Sequence, residues 1–437
     1  MSKQITVLNT GDWHLSSEEA KYTKAVHSLD QIVSYVQDNP VDYIKIDGDL
    51  WDLPQRDPYY ESKKEGRGVA LARHYLPLLA RMVRYVLIGK GNAHHDATQS
   101  ISKLHQLWAD NILAYEYPVV LGFENDKYYD LFRNQELLQT ANPEIIIPLM
   151  PYPNKSMLME YHKSIDESNK EFGEIFDGLM TAFGVINSKF KCPKVLGFHG
   201  NVQGARLSNG QSLLGQDIII SPHSLLKAKC DFYNLAHIHL PQWIIENVMG
   251  YCSSIYNKDW GETEQKYFTI TRFDVKDDGE YKMEVERVPI AGVKPMVDVK
   301  AEWKDGQLIY DKPEGDCEVR VKFDIPESEQ ELLTTDKLEQ LKKDLGGDVK
   351  IVKNTIPNQR LSRSEKIMSV TTDEEEVEEW VNVMLDEPSR EYFPKEEVEV
   401  DGQKIIRRKL PKTMIEKISQ IRDSVNKGEE VSIEEEF

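Results

Sequence analysis

The chain has 437 residues, 40% of them hydrophobic and 29% charged, which suits a soluble globular protein of two or three domains. Its 54 basic and 74 acidic residues leave a formal net charge of −20, which argues against a protein that coats nucleic acid through bulk electrostatics. A nuclease is not excluded by that balance, because local lysines, arginines and bound cations can still meet phosphate.

The N-terminus runs directly into Ile5-Thr6-Val7-Leu8, too short for a secretory segment. No apolar stretch approaches the ~20 residues of a membrane span. The expectation is a cytoplasmic protein with no membrane partner. Cys192, Cys230, Cys252 and Cys317 show no CxxC spacing, so neither structural zinc nor a disulfide framework is expected.

In chain order, residues 5–8 read as a strand, and Val26, Leu29, Val33 and Val36 recur at helical spacing. Tyr43-Ile44-Lys45-Ile46 is a second strand, stopped by Asp47-Gly48-Asp49. Residues 69–82 read as a helix, and Tyr85-Val86-Leu87-Ile88 as a third strand ending at Gly89. Further strands are expected at Ile145-Ile146-Ile147, Val195-Leu196-Gly197-Phe198, Ile218-Ile219-Ile220 and Phe232-Tyr233-Asn234-Leu235, with a helix filling much of 155–190. Strand-like alternation from Lys266 to about Val288 closes a first domain, 1–290. Such alternation of helices and short apolar strands predicts a layered α/β core.

Residues 291–358 read as a small α+β module, with a strand at Glu318-Val319-Arg320-Val321-Lys322-Phe323, a helix over 335–345 and a strand ending at Val352. In 359–437 two amphipathic helices are expected, one carrying Val377, Trp380, Val381 and Met384, the other Met414, Ile418, Ile421 and Val425. Their apolar stripes have little core of their own and suit docking onto a partner. The acidic runs at 373–379 and 434–436 read as solvated faces or tails.

Five fragments carry the chemistry: Asp12-x-His14, Gly48-Asp49, Gly91-Asn92, Phe198-His199-Gly200 and Ala236-His237-Ile238-His239. Each follows an apolar strand-like run. Asp12 and His14 are two apart, as are His237 and His239, so each pair can face one way at a strand end. Asp49 is placed to bridge two cations, Asn92 adds an amide oxygen and His199 another nitrogen. This mixed nitrogen and oxygen set suits manganese, iron or zinc, and a site in which paired cations activate water against a phosphoester. Asp47, two residues before Asp49, is expected to be solvated or capping.

These motifs resemble the calcineurin-like metallophosphoesterase superfamily, whose pattern is D-x-H, G-D, G-N-H-D or G-N-H-E, and later G-H-x-H. More narrowly, Gly11-Asp12-Trp13-His14-Leu15, Gly48-Asp49-Leu50-Trp51-Asp52, and the run from Leu235 to Gln242 resemble SbcD-type nuclease subunits of DNA double-strand-break repair complexes. Tyr251-Cys252-Ser253-Ser254, Trp260-Gly261-Glu262 and Lys266-Tyr267-Phe268 fit the segment that closes their catalytic domain. The resemblance covers about residues 1–270. It implies a layered metallophosphoesterase β-sandwich flanked by helices, a small α+β DNA-capping domain and a helical C-terminal tail. It further implies one metal held by Asp12, His14, Asp49 and His239, and a second by Asp49, Asn92, His199 and His237, most often Mn2+.

The family's catalytic histidine falls on His95, beside Asp96. Here Gly91-Asn92-Ala93-His94-His95-Asp96 carries two extra residues, so His94 is the alternative; His95 is preferred because Asp96 can orient it. Ala236 stands where the family has glycine. The implied activity is Mn-dependent exonuclease and endonuclease cleavage of DNA ends and hairpins, in a homodimer bound to the coiled coil of an SbcC-type ATPase. The rival readings are a small-substrate metallophosphatase and a scaffold whose site has decayed.

Overall fold

A computed structural model describes residues 3–53, 66–153, 165–208, 218–346, 349–356, 395–400 and 403–408, of which 165–171, 395–400 and 403–408 are described by their backbone alone. The chain opens as an alternation: β1 (Lys3–Thr10), α1 (Glu19–Asp38), β2 (Tyr43–Asp47), α2 (Gly66–Ala80), β3 (Tyr85–Gly89) and β4 (Ile112–Tyr115). It continues through β5 (Val119–Glu124), β6 (Lys127–Asp130), β7 (Ile145–Met150), α3 (Ile165–Asn187), β8 (Val195–His199), β9 (Asn201–Val202) and β10 (Ile219–Ile220). Then come α4 (Pro222–Leu226), β11 (Phe232–Ala236), β12 (Gln242–Ile245), β13 (Met249–Tyr251), β14 (Tyr267–Val275) and β15 (Tyr281–Pro289).

Period-two patterning sorts these strands into two sheets packed face to face. One has the order β15-β14-β1-β2-β3-β4, the other β12-β13-β11-β8-β7-β5-β6. In the first sheet Ile5, Val7, Tyr43 and Leu87 meet Leu121, Ile147, Val195 and Phe232 of the second. The alternate residues Leu8, Ile44, Ile46 and Val86 point away, onto Leu29 and Ile32 of α1 and Leu76 and Leu79 of α2. On the far side Leu196, Phe198, Tyr233 and Leu235 pack on Phe176, Met180 and Phe183 of α3. The result is a helix, sheet, sheet, helix stack, so the expected mixed α/β layering is present. No helix among the described residues is long and apolar enough to cross a membrane.

What positions the site is parallel pairing. β1, β2, β3 and β4 run parallel in register, Val7 beside Tyr43 and Ile44 beside Val86. In the other sheet β8 and β11 run parallel, with His199 beside Ala236. The carboxyl ends of β1, β2, β3, β8 and β11 therefore open at one edge of the sandwich, and every metal-ligand candidate of the sequence lies at or just beyond one of them.

Several strands went unanticipated. β6, β12 and β13 are only four, four and three residues long, too short to show an alternation, β5 is buried on both faces and broken by Gly122, and the stretch from Lys266 to Val288 is a hairpin of two nine-residue strands.

The remaining elements are β16 (Met296–Lys300), β17 (Glu302–Lys304), β18 (Gln307–Ile309), β19 (Glu318–Pro326), α5 (Thr335–Asp344), β20 (Val349–Ile356), β21 (Lys395–Val400) and β22 (Gln403–Arg408). The described residues fall into two compact units, one within Met1–Glu302, Leu308–Phe323 and Thr335–Val352, the other within Trp303–Gln307, Asp324–Thr334 and Lys353–Phe437. In the first, β16 pairs parallel with β19, Met296 beside Glu318. In the second, Trp303 Nε1 donates to Glu329 at 2.6 Å, and β21 and β22 form an antiparallel ribbon. That ribbon occupies the linker expected between the two amphipathic helices. Both stripes, at 377–384 and 414–425, lie outside the described residues.

Candidate metal centre

The turns after the strands are held in conformations that ordinary side chains avoid. Asp12 (φ 50°), His14 (φ 43°), Asp49 (φ 48°) and His237 (φ 98°) all have left-handed backbones. Such conformations cost free energy and persist where surrounding bonds over-determine them. Here the bonds are visible. Asp12 N–H donates to Gly48 O and His14 N–H to Asp49 O, each at 3.0 Å. The N–H of His237 donates to both Asp12 carboxylate oxygens, at 3.1 and 2.9 Å. Gly48 has φ +87°, and a Cβ there would stand 2.2 Å from His199 Nδ1; a Cβ on Gly91 would fall 2.0 Å from Asp49 Oδ1. Both glycines let backbone close in on the donor groups.

Three donor sets converge, each with its ligand atoms within 4.8 Å of one another: Asp12, His14 and His239; Asp49, His199 and His237; and His14, Asp49 and His95. Asp49 and His14 are each shared by two sets. All but His95, His237 and His239 are buried, and those three are partly buried.

The histidines are oriented individually. His199 Nδ1–H donates to Asp47 O at 2.7 Å, which turns Nε2 toward Asp49 Oδ1, 3.3 Å away. His95 Nδ1–H donates to Asp52 O at 2.7 Å, with Nε2 3.9 Å from Asp49 Oδ2. His239 Nδ1 faces Glu262 Oε1 at 2.6 Å, and its Nε2 sits 3.0 Å from His14 Nε2. Among the described residues no hydrogen bond reaches the buried nitrogens His14 Nδ1, His199 Nε2 and His237 Nδ1. Buried nitrogens left unpaired beside buried carboxylates are costly as a protein interior and natural as a cation cradle. The residues fit a pair of divalent ions.

Protonation follows from burial and from neighbouring charge. Burial pushes Asp12 up to about 6, against the pull of His199 and His239. At Asp49 burial pushes upward too, but His199, His95 and His237 outweigh it and hold the carboxylate near 2. Burial opposes charge on His199, yet Asp49 raises it to about 10. Burial drops His237 to about 3.

In the metal-free centre His199, held up by Asp49, and His239, held up by Glu262, therefore keep protons that a cation must displace, and Asp12 takes up another as the pH falls toward about 6. Metal uptake is expected to release protons and to weaken as pH falls from 8 to 5. Calorimetry of Mn2+ binding in buffers of different ionisation enthalpy checks this. Buffer-independent heat would contradict it.

Three expectations meet corrections. Asp47 is neither solvated nor a cap: it is buried, bonded to Lys45 Nζ at 2.5 Å and Asn234 Nδ2 at 2.7 Å. Asp96 does not orient His95. Its oxygens accept Gly91 N–H at 2.6 Å and Trp51 N–H at 3.3 Å, so it braces the loop, while the Asp52 carbonyl fixes His95. Burial raises Asp96 to about 7. Asn92 stands beside Asp49, but its Nδ2 donates to Asp49 Oδ2 and its Oδ1 accepts His94 N–H, both at 2.9 Å. Of the two adjacent histidines, His94 is exposed, and His95 is the one facing His14 and Asp49.

Sequence reasoning passed over Glu262 and Tyr152 as site residues. The Tyr152 ring lies 5.9 Å from that of His199 and 5.4 Å from that of His237. Glu262 also accepts from Lys266 Nζ at 2.8 Å and Lys258 N–H at 3.2 Å. Burial would raise its carboxyl, but His239 and Lys266 hold it far below the usual carboxylate range. A carboxylate on the outer nitrogen of a ligating histidine fixes the ring and raises its basicity. Glu262→Gln is expected to lower Mn2+ affinity by about 10- to 100-fold without unfolding the chain. Equilibrium dialysis at matched pH measures it, and unchanged affinity would remove Glu262 from the centre.

The chain matches no family profile and no curated protein. Among solved structures it is similar to Vacuolar Protein Sorting 29 from Cryptosporidium parvum, at 9% identity and a TM-score of 0.26, covering 65% of this chain and 98% of that one. Vps29 of Entamoeba histolytica complexed with Zn2+ aligns at 12% identity and 0.25, covering 65% and 99%. Vps29 of Chaetomium thermophilum aligns at 9% and 0.23, covering 65% and 97%. Superpositions this loose carry no conclusion about the chemistry of this chain.

Proposed function

We propose that this chain is a metal-dependent phosphoesterase. The observation that carries the reading is the set of buried imidazole nitrogens at His14, His199 and His237 that find no hydrogen bond among the described residues, in a cluster with Asp12 and Asp49. Asp12, His14, Asp49 and His239 would hold one divalent ion; Asp49, His199 and His237, with Asn92 alongside, would hold the other. The ions, when bound, supply positive charge for the phosphoryl oxygens and acidify water near neutral pH.

The chain's own groups do the rest. Asp52 O fixes the tautomer of His95, so Nε2 is the atom that exchanges a proton with the leaving oxygen. Glu262 and Asp47 O aim His239 and His199 inward. No side-chain nucleophile is needed.

The finer reading is cleavage of DNA phosphodiesters at ends and hairpins, with manganese, in a homodimer docked to an SbcC-type ATPase. It is supported by the motif resemblance over residues 1–270 and by the long region that follows. Purified chain with Mn2+ is expected to degrade linear DNA, and chelation by EDTA to stop it. Hydrolysis of nitrophenyl phosphate with DNA left intact would point to a small substrate. Tight metal binding with neither activity would point to a scaffold, a reading favoured by the Asn92 oxygen being taken up by His94 N–H.

A further inference from the structure

Lys258 is the cation at this centre that the sequence motifs do not contain. Its ammonium is mostly buried, with the side chain 11% exposed, and lies 3.4 Å from His95 Nε2. Burial lowers the His14 imidazole, and the Lys258 ammonium lowers it further.

The other two buried lysines beside the site are fully engaged. Lys45 holds Asp47 and Leu196 O, and Lys266 holds Glu262, Glu264 and His239 O. Among the described residues Lys258 has no such close oxygen partner, only a long ion pair with Asp52 Oδ1 at 3.7 Å. The other oxygen of Asp52 is already taken by Ser16 Oγ and Lys21 Nζ, both at 3.0 Å. Lys258 is held by its backbone instead, through its N–H to Glu262, the carboxylate that orients His239.

A mostly buried ammonium lacking a close anion is expensive. Set beside a cation cradle it also repels the ions that the cradle attracts, at a cost to metal affinity. Both penalties vanish when an anion enters between them. We propose that Lys258 is a substrate-binding residue whose Nζ donates to a non-bridging phosphoryl oxygen, forming with His95 the wall of the site that faces the scissile phosphate. The inference rests on the phosphoesterase reading and names the group that fixes its phosphate. Lysine serves here as a point charge rather than a planar fork, so it suits a phosphoryl oxygen of a monoester or diester alike.

The test compares Lys258→Met and Lys258→Arg in the full-length, Mn2+-loaded protein. Binding of inorganic phosphate is read by calorimetry, with KM and kcat on linear DNA and on nitrophenyl phosphate read separately. Lys258→Met is expected to weaken phosphate binding and raise KM by about 10- to 100-fold, the worth of one charge-assisted hydrogen bond, with kcat nearly unchanged. Manganese content should hold or rise, and Lys258→Arg should recover most of the loss.

Phosphate binding by Lys258→Met equal to that of the parent would overturn the proposal. So would loss of manganese in that variant, which would make Lys258 a support of the ligand shell. A parent protein that binds phosphate through Lys258 yet hydrolyses neither substrate would sink the enzymatic reading and leave this site standing.

Discussion

Asp49→Asn is expected to leave the chain folded and to reduce hydrolysis by about a thousandfold or more, because it removes the one charge shared between two donor sets. The substitution keeps the size and the left-handed backbone, which asparagine tolerates well. An amide oxygen at the position of Oδ1 still accepts Asn92 N–H, now 2.9 Å away, but the amide nitrogen at the position of Oδ2 faces Asn92 Nδ2, so that side-chain hydrogen bond is lost as well. What disappears is the charge that holds His199 protonated in the metal-free protein and that would hold an ion between His199 and His237. His199 should then titrate below its present value of about 10, since burial alone pushes an imidazole down. Metal analysis after dialysis should show fewer ions per chain than the parent. Two ions retained with activity within tenfold of the parent would remove Asp49 from the centre and, with it, the bridging geometry.

Legibility from sequence followed local periodicity. Strands that alternate sharply and end in a Gly-Asp or Asp-x-His turn announced themselves, because a metal ligand immediately after an apolar run breaks the pattern where the strand breaks. His237 and His239 were legible for the same reason. Glu262 and Lys258 were not: they lie in a connection beyond β13, and only the tertiary fold brings them to His239 and His95. The sequence spacing from Glu262 to Lys266 was visible, but nothing local marks that carboxylate as a partner of a histidine 23 residues away. Asp96 misled because adjacency in sequence is a poor guide in a tight turn. His95 and Asp96 point to different backbones, one to Asp52 O and the other to the amides of Gly91 and Trp51. Asp47 misled because a carboxylate next to a glycine turn reads as solvent-facing, whereas the second sheet covers it.

That covering has an energetic consequence large enough to measure. Tyr43, Lys45 and Asp47 share the face of β2 that meets the other sheet, and Lys45 and Asp47 are buried there as a pair bonded to Leu196 O and Asn234. Space is tight: a Cβ on Gly197 would come within 1.9 Å of Asp47 Oδ1 and 2.9 Å of Lys45 Nζ. Lys45→Met removes the cation and strands a buried carboxylate, which is expected to cost about 3–5 kcal/mol. Lys45→Met with Asp47→Asn should recover at least half of that, since the amide keeps the shape beside Gly197 without the charge.

The pH dependence fixes the mechanism. Burial raises Asp47 above the usual carboxylate range even with Lys45 present, and without it the carboxylate should rise further. A folded-state value above the unfolded one makes the protonated form the stable one, so the deficit of Lys45→Met should shrink on acidification from pH 7 to 5. Because His199 Nδ1 donates to the Asp47 backbone carbonyl and not to its carboxylate, the double variant should keep its metal ions. Urea unfolding of the parent and both variants at pH 7 and pH 5 decides the matter. A single variant as stable as the parent would mean that this charge pair contributes nothing to holding the two sheets together beneath the centre, and a deficit that does not change with pH would mean that the stranded Asp47 carboxylate is not its cause.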